Sequence, residues 1–218
     1  MLITVVRSGA ESQIDLVPSK IIGIGTNYRA HAVEMKKPIP DEPLLFLKPL
    51  SAVIGDGDAI VRPDGGYTRV DYEGELGVVI GQRARRVSRA AALEVVMGFT
   101  CVNDVTVRDL QAKDVQFTRA KGFDTFCPIG PRIVAGLDPR NLRIITRLNG
   151  EVRQDSTTAD LIFDVPALIA FVSSVMTLEV GDVISTGTPS GVGNLTVGDT
   201  VEIEIEGVGT LRNRVVAA

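Results

Sequence analysis

Glu73 and Glu75 stand two positions apart in the run Asp71-Tyr72-Glu73-Gly74-Glu75-Leu76-Gly77-Val78-Val79-Ile80. In a strand, residues i and i+2 face the same side. Two carboxylates placed that way repel unless water or a cation lies between them, and a divalent ion would remove the conflict. A wet strand face is the competing reading. The chain offers a case of that kind in Glu202, Glu204 and Glu206, which alternate with Val201, Ile203 and Ile205 and read as an ordinary solvated face. Spacing alone leaves both readings open for Glu73 and Glu75.

Asp104 follows an apolar stretch that ends Val102-Asn103. It could be a third oxygen ligand at a strand end, or the cap of a short helix after it. Arg108, Gln111 and Lys121 supply positive or hydrogen-bonding groups nearby. The chain has one histidine, His31, so any metal site must be built almost wholly from oxygen donors. Such sites suit magnesium, manganese and calcium and disfavour zinc and copper. If Tyr28–Met35 is helical, His31 and Glu34 are i, i+3 neighbours. A carboxylate beside an imidazole raises its basicity and fixes its tautomer; a lone surface histidine is the plainer alternative.

Other segments carry less. Thr186-Gly187-Thr188-Pro189-Ser190-Gly191-Val192-Gly193 lacks the Gly-Lys-Ser/Thr ending of a phosphate loop, and Gly23-Ile24-Gly25 lacks the third glycine of a dinucleotide fingerprint. The dense segment Thr118–Pro131 reads as an ordered loop. Arg83, Arg85, Arg86 and Arg89 read as a solvated turn. The net charge of −4 gives no support to a nucleic-acid groove or an anionic membrane partner. Cys101 and Cys127 are too few for a disulfide framework or a thiolate zinc site and are expected as buried, reduced thiols. No apolar run approaches the roughly 20 residues of a membrane helix, and the alternating N-terminus lacks a signal-peptide pattern. A cytoplasmic protein is expected.

The elements that would position these groups are mostly strands. Short β-branched runs and dispersed turn residues predict strands at Ile3–Val6, Ile21–Ile24, Leu44–Leu47, Glu75–Ile80, Gly98–Val102, Ile144–Leu148, Val183–Thr186, Val201–Ile205 and Thr210–Val216. Asp164-Val165-Pro166, followed by apolar Leu168, Ile169, Val172 and Met176, predicts a capped helix. Ser88 is expected to cap a second helix over Arg89–Met97, and Tyr28–Met35 to form a third. A mostly β, α+β domain without regular strand–helix alternation is the expected class.

Taken in order, these segments resemble the fumarylacetoacetate hydrolase superfamily. Asn27-Tyr28 with His31 and Glu34 is similar to its lid motif, and Glu73-x-Glu75 with Asp104 to its metal triad. Arg108, Gln111 and Lys121-Gly122-x-Asp124 are similar to its pocket segment, and Thr186-Gly187-Thr188-Pro189-x-Gly191-Val192-Gly193 to its glycine loop. The likeness spans about residues 20–216; Gly122 stands where some members have serine. The resemblance implies a mixed β-sandwich roll with a few peripheral helices, a short N-terminal strand segment over 1–19, a catalytic domain over 20–218, and a homodimer. It implies a magnesium or manganese ion on Glu73, Glu75 and Asp104, with calcium also accommodated and no organic cofactor.

Within that superfamily the chain resembles the short acylpyruvase and oxaloacetate decarboxylase members. The expected activity is hydrolysis of a C–C bond in a 2,4-dioxo acid of acylpyruvate or fumarylpyruvate type, through a pyruvate enolate held by the metal. Decarboxylation of oxaloacetate, and isomerisation or decarboxylation of unsaturated dicarboxylates from aromatic catabolism, are the alternatives. A non-catalytic protein that holds a metal or small acid is the reading from another class; the intact set of site residues argues against it. In the catalytic reading, His31 and Glu34 form a general-base dyad and Lys121 and Arg108 offset the charge of the small 2-oxo acid. Thr188 helps bind its carboxylate, and Gln111 orients it.

Overall fold

The computed structural model describes residues 1–218. The chain begins with a hairpin, β1 (Leu2–Arg7) and β2 (Ala10–Asp15), then β3 (Ile21–Gly25), helix α1 (Arg29–Glu34) and β4 (Leu44–Lys48). Three short strands and two longer ones follow: β5 (Val53–Ile54), β6 (Ala59–Arg62), β7 (Val70–Tyr72), β8 (Gly74–Ile80) and β9 (Val96–Asn103), with β10 (Thr106–Val107) close behind. Helices α2 (Arg108–Lys113) and α3 (Thr118–Lys121) lead to β11 (Cys127–Val134), β12 (Arg143–Leu148) and β13 (Glu151–Thr157). The chain closes with α4 (Val165–Val175), β14 (Val183–Ser185), β15 (Gly193–Asn194), β16 (Thr200–Ile205) and β17 (Gly209–Ala217).

Three sheets result. The largest is mixed, in the order β2-β1-β11-β9-β8-β14-β3-β4, with β5 paired to β11. A five-stranded sheet, β13-β12-β16-β17-β6, packs against it, and a small sheet, β10-β7-β15, lies beside the site. Every residue of β8 is buried. Leu76, Val78 and Ile80 join one core with Ile144, Ile203, Leu211 and the inner face of α4, while Val79 joins a second core with Val102, Val183 and Ile21. A strand buried on both faces needs no polar alternation, so Leu76–Ile80 is an unbroken run apart from a glycine. The β-sandwich expected from the resemblance is the architecture found.

All nine expected strands are present with ends shifted by a residue or two. Asp164 caps α4 as expected, its carboxylate accepting from the Ala167 N–H at 2.9 Å. The segment after Ser88 differs. It forms 3-10 turns over Arg89–Val95 and then enters β9 at Val96, because the Val95 carbonyl takes the N–H groups of Gly81 and Gln82 and ties the chain to the sheet. Thr118–Pro131 is not one loop either; it holds α3 and the first half of β11. Pro128 and Pro131 lack the N–H a ladder requires. Pro131 falls where the register against β9 shifts, between Gly130 and Val134, and Pro128 lies before that shift, opposite Ile54 of β5. The arginine run is mostly exposed, as expected, but Arg85 donates to the carbonyls of Ser173 and Ser174 at the end of α4.

Gly74, between the two glutamates, sets how closely the sheets meet. A Cβ there would lie 2.1 Å from Thr146 Oγ1 on β12. Gly74→Ala should destabilise the fold by about 1–3 kcal/mol, measured by urea unfolding. Adding Thr146→Ala should recover much of the loss, because Thr146 Oγ1 has no hydrogen-bond partner to forfeit.

Candidate metal centre and its pocket

Glu73 is the single residue between β7 and β8, so it sits at the junction of two sheets rather than inside one strand. Glu75 is the second residue of β8, and Asp104 follows the last residue of β9. The antiparallel register pairs Gly74 with Asn103 and Glu75 with Val102. That register carries Asp104 beside Glu73, and the Asp104 N–H donates to the Glu73 carbonyl at 2.9 Å. The Asn103 side chain accepts from the Glu73 N–H at 3.0 Å. Asp104 caps no helix; the residue before α2 is Val107. The three carboxylates are buried, at 5%, 2% and 1% exposure in sequence order, and offer oxygens within 4.8 Å of one another.

Three buried anions so close cannot stand without positive charge. The Lys121 ammonium donates to Glu73 Oε2 at 2.8 Å, to Asp104 Oδ2 at 2.5 Å and to Thr106 Oγ1 at 2.8 Å. Arg108 donates to Glu73 Oε1 at 2.6 Å, to Asp71 at 2.8 Å and to the Gln111 side-chain oxygen at 2.8 Å. Burial would raise the Glu73 carboxyl, but the Lys121 and Arg108 cations outweigh it and hold the group well below the usual range. Glu75 goes the other way. Burial, then repulsion from Asp104 and Glu73, push its carboxyl well above the usual range. Its Oε2 accepts from Ser185 Oγ at 2.5 Å and from the Gly187 N–H at 2.8 Å. Gly187 reaches it with φ at +97°, and a Cβ there would lie 2.7 Å from the Asn27 Cβ.

This donor set fits a hard divalent ion: buried, all oxygen, with one carboxylate held in an environment that penalises its charge. Glu73 Oε2, Glu75 and Asp104 Oδ2 would be the donors, and the ion would supply the charge that Lys121 supplies here.

The pocket above the triad is lined by His31, Arg108, Gln111, Lys121 and Thr188 together with the three carboxylates. Of the residues expected at the site, only Glu34 stands one step back. Its Oε2 lies 3.0 Å from His31 Nδ1 and its Oε1 accepts from the Gly191 N–H at 2.9 Å. With Nδ1 on a carboxylate, Nε2 is the ring nitrogen left for the pocket. Asn27 anchors the start of α1, donating to the carbonyls of Thr186 and Phe163 and accepting from the Phe163 N–H. The Thr188 hydroxyl donates to the Gly74 carbonyl at 2.9 Å and accepts from Gln154 at 2.8 Å. Its backbone N–H has no protein acceptor.

Sequence reasoning did not single out Lys48, which is 2% exposed. Its ammonium donates to Asp104 Oδ1 at 2.6 Å and to the Lys121 carbonyl at 2.6 Å, fixing a triad oxygen and the helix that carries Lys121. The available signal was a charge closing the apolar run Leu44-Leu45-Phe46-Leu47. Asp71, fully buried between Arg69 and Arg108, was also missed.

The whole arrangement is that of one protein family. Residues 20–216 match the family model described as Fumarylacetoacetate (FAA) hydrolase C-terminal, and the chain belongs to that family. It is 59% identical over 201 residues to an uncharacterized protein of Archaeoglobus fulgidus, covering 92% of this chain and 80% of that one. It is 46% identical over 211 residues to the oxaloacetate tautomerase YisK of Bacillus subtilis, covering 91% and 70% respectively. A solved 5-carboxymethyl-2-hydroxymuconate delta-isomerase from Mycobacterium smegmatis superposes with a TM-score of 0.87 at 50% identity, over 93% of this chain and 80% of that one.

Two outcomes follow from the geometry. The raised Glu75 carboxyl contributes stability that is complete below the unfolded value, near 4.3, and lost as pH rises through its folded value. Metal-free Glu75→Gln should therefore resist urea better than metal-free wild type at neutral pH, with a flatter pH dependence, while calorimetry shows manganese binding weakened by more than about tenfold. Lys48→Met leaves all three triad carboxylates in place yet should weaken manganese binding about 10–100-fold, measured by the same titration.

Proposed function

We propose that this protein is a magnesium- or manganese-dependent enzyme that acts on small 2-oxo acids by forming or discharging an enolate. The observation that carries the reading is the convergence of three buried carboxylates with Lys121, Arg108 and one histidine at a single pocket. A divalent ion there supplies positive charge for an oxygen of the substrate that becomes negative during reaction. Arg108 and the unpaired N–H of Thr188 take the substrate carboxylate, and Gln111 keeps the Arg108 guanidinium in place. The His31 ring, held through Nδ1 by Glu34, accepts a proton at Nε2.

With a 2,4-dioxo acid that proton comes from a water, which then attacks the distal carbonyl and breaks the C–C bond, so the protein is a hydrolase. A second reading is favoured by the relatives, a tautomerase of oxaloacetate and a delta-isomerase. In it the proton moves between carbon atoms or oxygen of the substrate, or oxaloacetate loses carbon dioxide, and no water is activated. The lid, the triad and the pocket cations serve both readings.

The test is a parallel assay of the manganese-loaded protein on acetylpyruvate, fumarylpyruvate and oxaloacetate, following pyruvate release and the keto–enol absorbance of oxaloacetate. Metal-dependent pyruvate from a dioxo acid is the expected result. In that case His31→Ala should lower hydrolysis by on the order of 10²–10⁴ and affect decarboxylation less. Change confined to oxaloacetate would select the second reading. No turnover of any of the three, with manganese bound, would overturn the hydrolase reading and point to isomerisation of an unsaturated dicarboxylate or to metal binding without catalysis.

A further inference from the structure

The two inner cations that line the pocket are matched with carboxylates, Arg108 with Glu73 and Lys121 with both Glu73 and Asp104, as is Lys48 behind them with Asp104. Lys37 is different. It lines the same pocket at its rim, forms no ion pair, and rests its ammonium 5.6 Å from the centre of the Phe117 ring. Phe117 meets Phe46 edge to face at 5.6 Å, and Phe46 in turn lies 4.9 Å from the Lys121 ammonium. One wall of the pocket is therefore apolar along its length and cationic at both ends. A short carbon chain with an anionic group at each end matches that wall.

The backbone places Lys37 with some care. Helix α1 ends in a pair of reciprocal bonds, Lys36 N–H to the Val33 carbonyl at 3.0 Å and Lys37 N–H to the Ala32 carbonyl at 2.9 Å. Lys36 takes the left-handed conformation this closure requires, at φ +53°. A non-glycine residue there costs roughly 1–2 kcal/mol, which the two bonds offset. Lys37 is thus tied to the same short helix as His31, and whatever Lys37 holds is registered to the base.

We infer that Lys37 receives the distal carboxylate of the substrate, so that the pocket selects 2-oxo acids with a second carboxylate over those ending in an alkyl group. This rests on the 2-oxo acid reading for the inner end of the pocket. The surrounding charge agrees with it. Partial burial, then the Arg108 cation, lower the Lys37 ammonium from its ordinary range, and Glu73 only partly opposes them. An anion arriving at Lys37 relieves that repulsion.

The test uses two unreactive acids of equal chain length, 2-oxoglutarate and 2-oxopentanoate, titrated calorimetrically into manganese-loaded protein. Wild type should bind 2-oxoglutarate about tenfold more tightly, the worth of one charge-assisted contact. Lys37→Met should erase that margin while leaving 2-oxopentanoate within about twofold of wild type, and Lys37→Arg should keep it. A margin that persists in Lys37→Met, an equal weakening of both acids, or equal binding of both by wild type would overturn the assignment of Lys37 alone. Failure of 2-oxoglutarate, or of both acids, to bind wild type would overturn the 2-oxo acid reading and this inference with it.

Discussion

Three carboxylates buried within reach of one another are the constraint around which this molecule is arranged. Their mutual repulsion, in a place water scarcely enters, must be met by cations or by protonation. Here both responses are visible. Glu73 is drawn down by Lys121 and Arg108, and Glu75, which has hydrogen-bond donors but no cation against it, is driven up. The two groups, two residues apart, are displaced in opposite directions because one faces cations and the other does not.

The scaffold follows from that centre. The β8–β9 register delivers Asp104 to Glu73, the junction with β7 turns Glu73 inward, and Gly74 lets the five-stranded sheet close behind. Ser185 and Gly187, at the end of β14, hold the far carboxylate. Lys48, at the end of β4, spans Asp104 and the carbonyl of Lys121. Five separate stretches of chain meet at the triad, and the two hydrophobic cores on either side of β8 keep them in register.

The helix over the pocket is joined to the same frame. Asn27 binds the turn after β14 and the entry to α4, and Glu34 binds the Gly191 N–H while orienting His31. His31, the rim lysine and the glycine loop are consequently one unit. A change in the loop is felt at His31 through Glu34.

Much of this was legible in the sequence because the information was local. Two glutamates separated by one residue, a single histidine that leaves oxygen to do the ligation, and β-branched runs between turns are statements about neighbours along the chain. They sufficed for the donor types, the strand-rich class and, through the order of the motifs, the family. The strand through Pro128 and Pro131 was not legible, because no local pattern encodes the register shift against β9 at which Pro131 falls. Nor were Lys48, Asp71 and Lys37. A charged residue declares itself only as charged; whether it is buried on a carboxylate, as Lys48 is, or left without one at a pocket rim, as Lys37 is, depends on partners dozens of residues away. The sequence by itself determined which atoms could ligate a hard ion. Tertiary structure decided which cations answer them and which one stays free, because the energy of a charge is set by what surrounds it rather than by what precedes it in the chain.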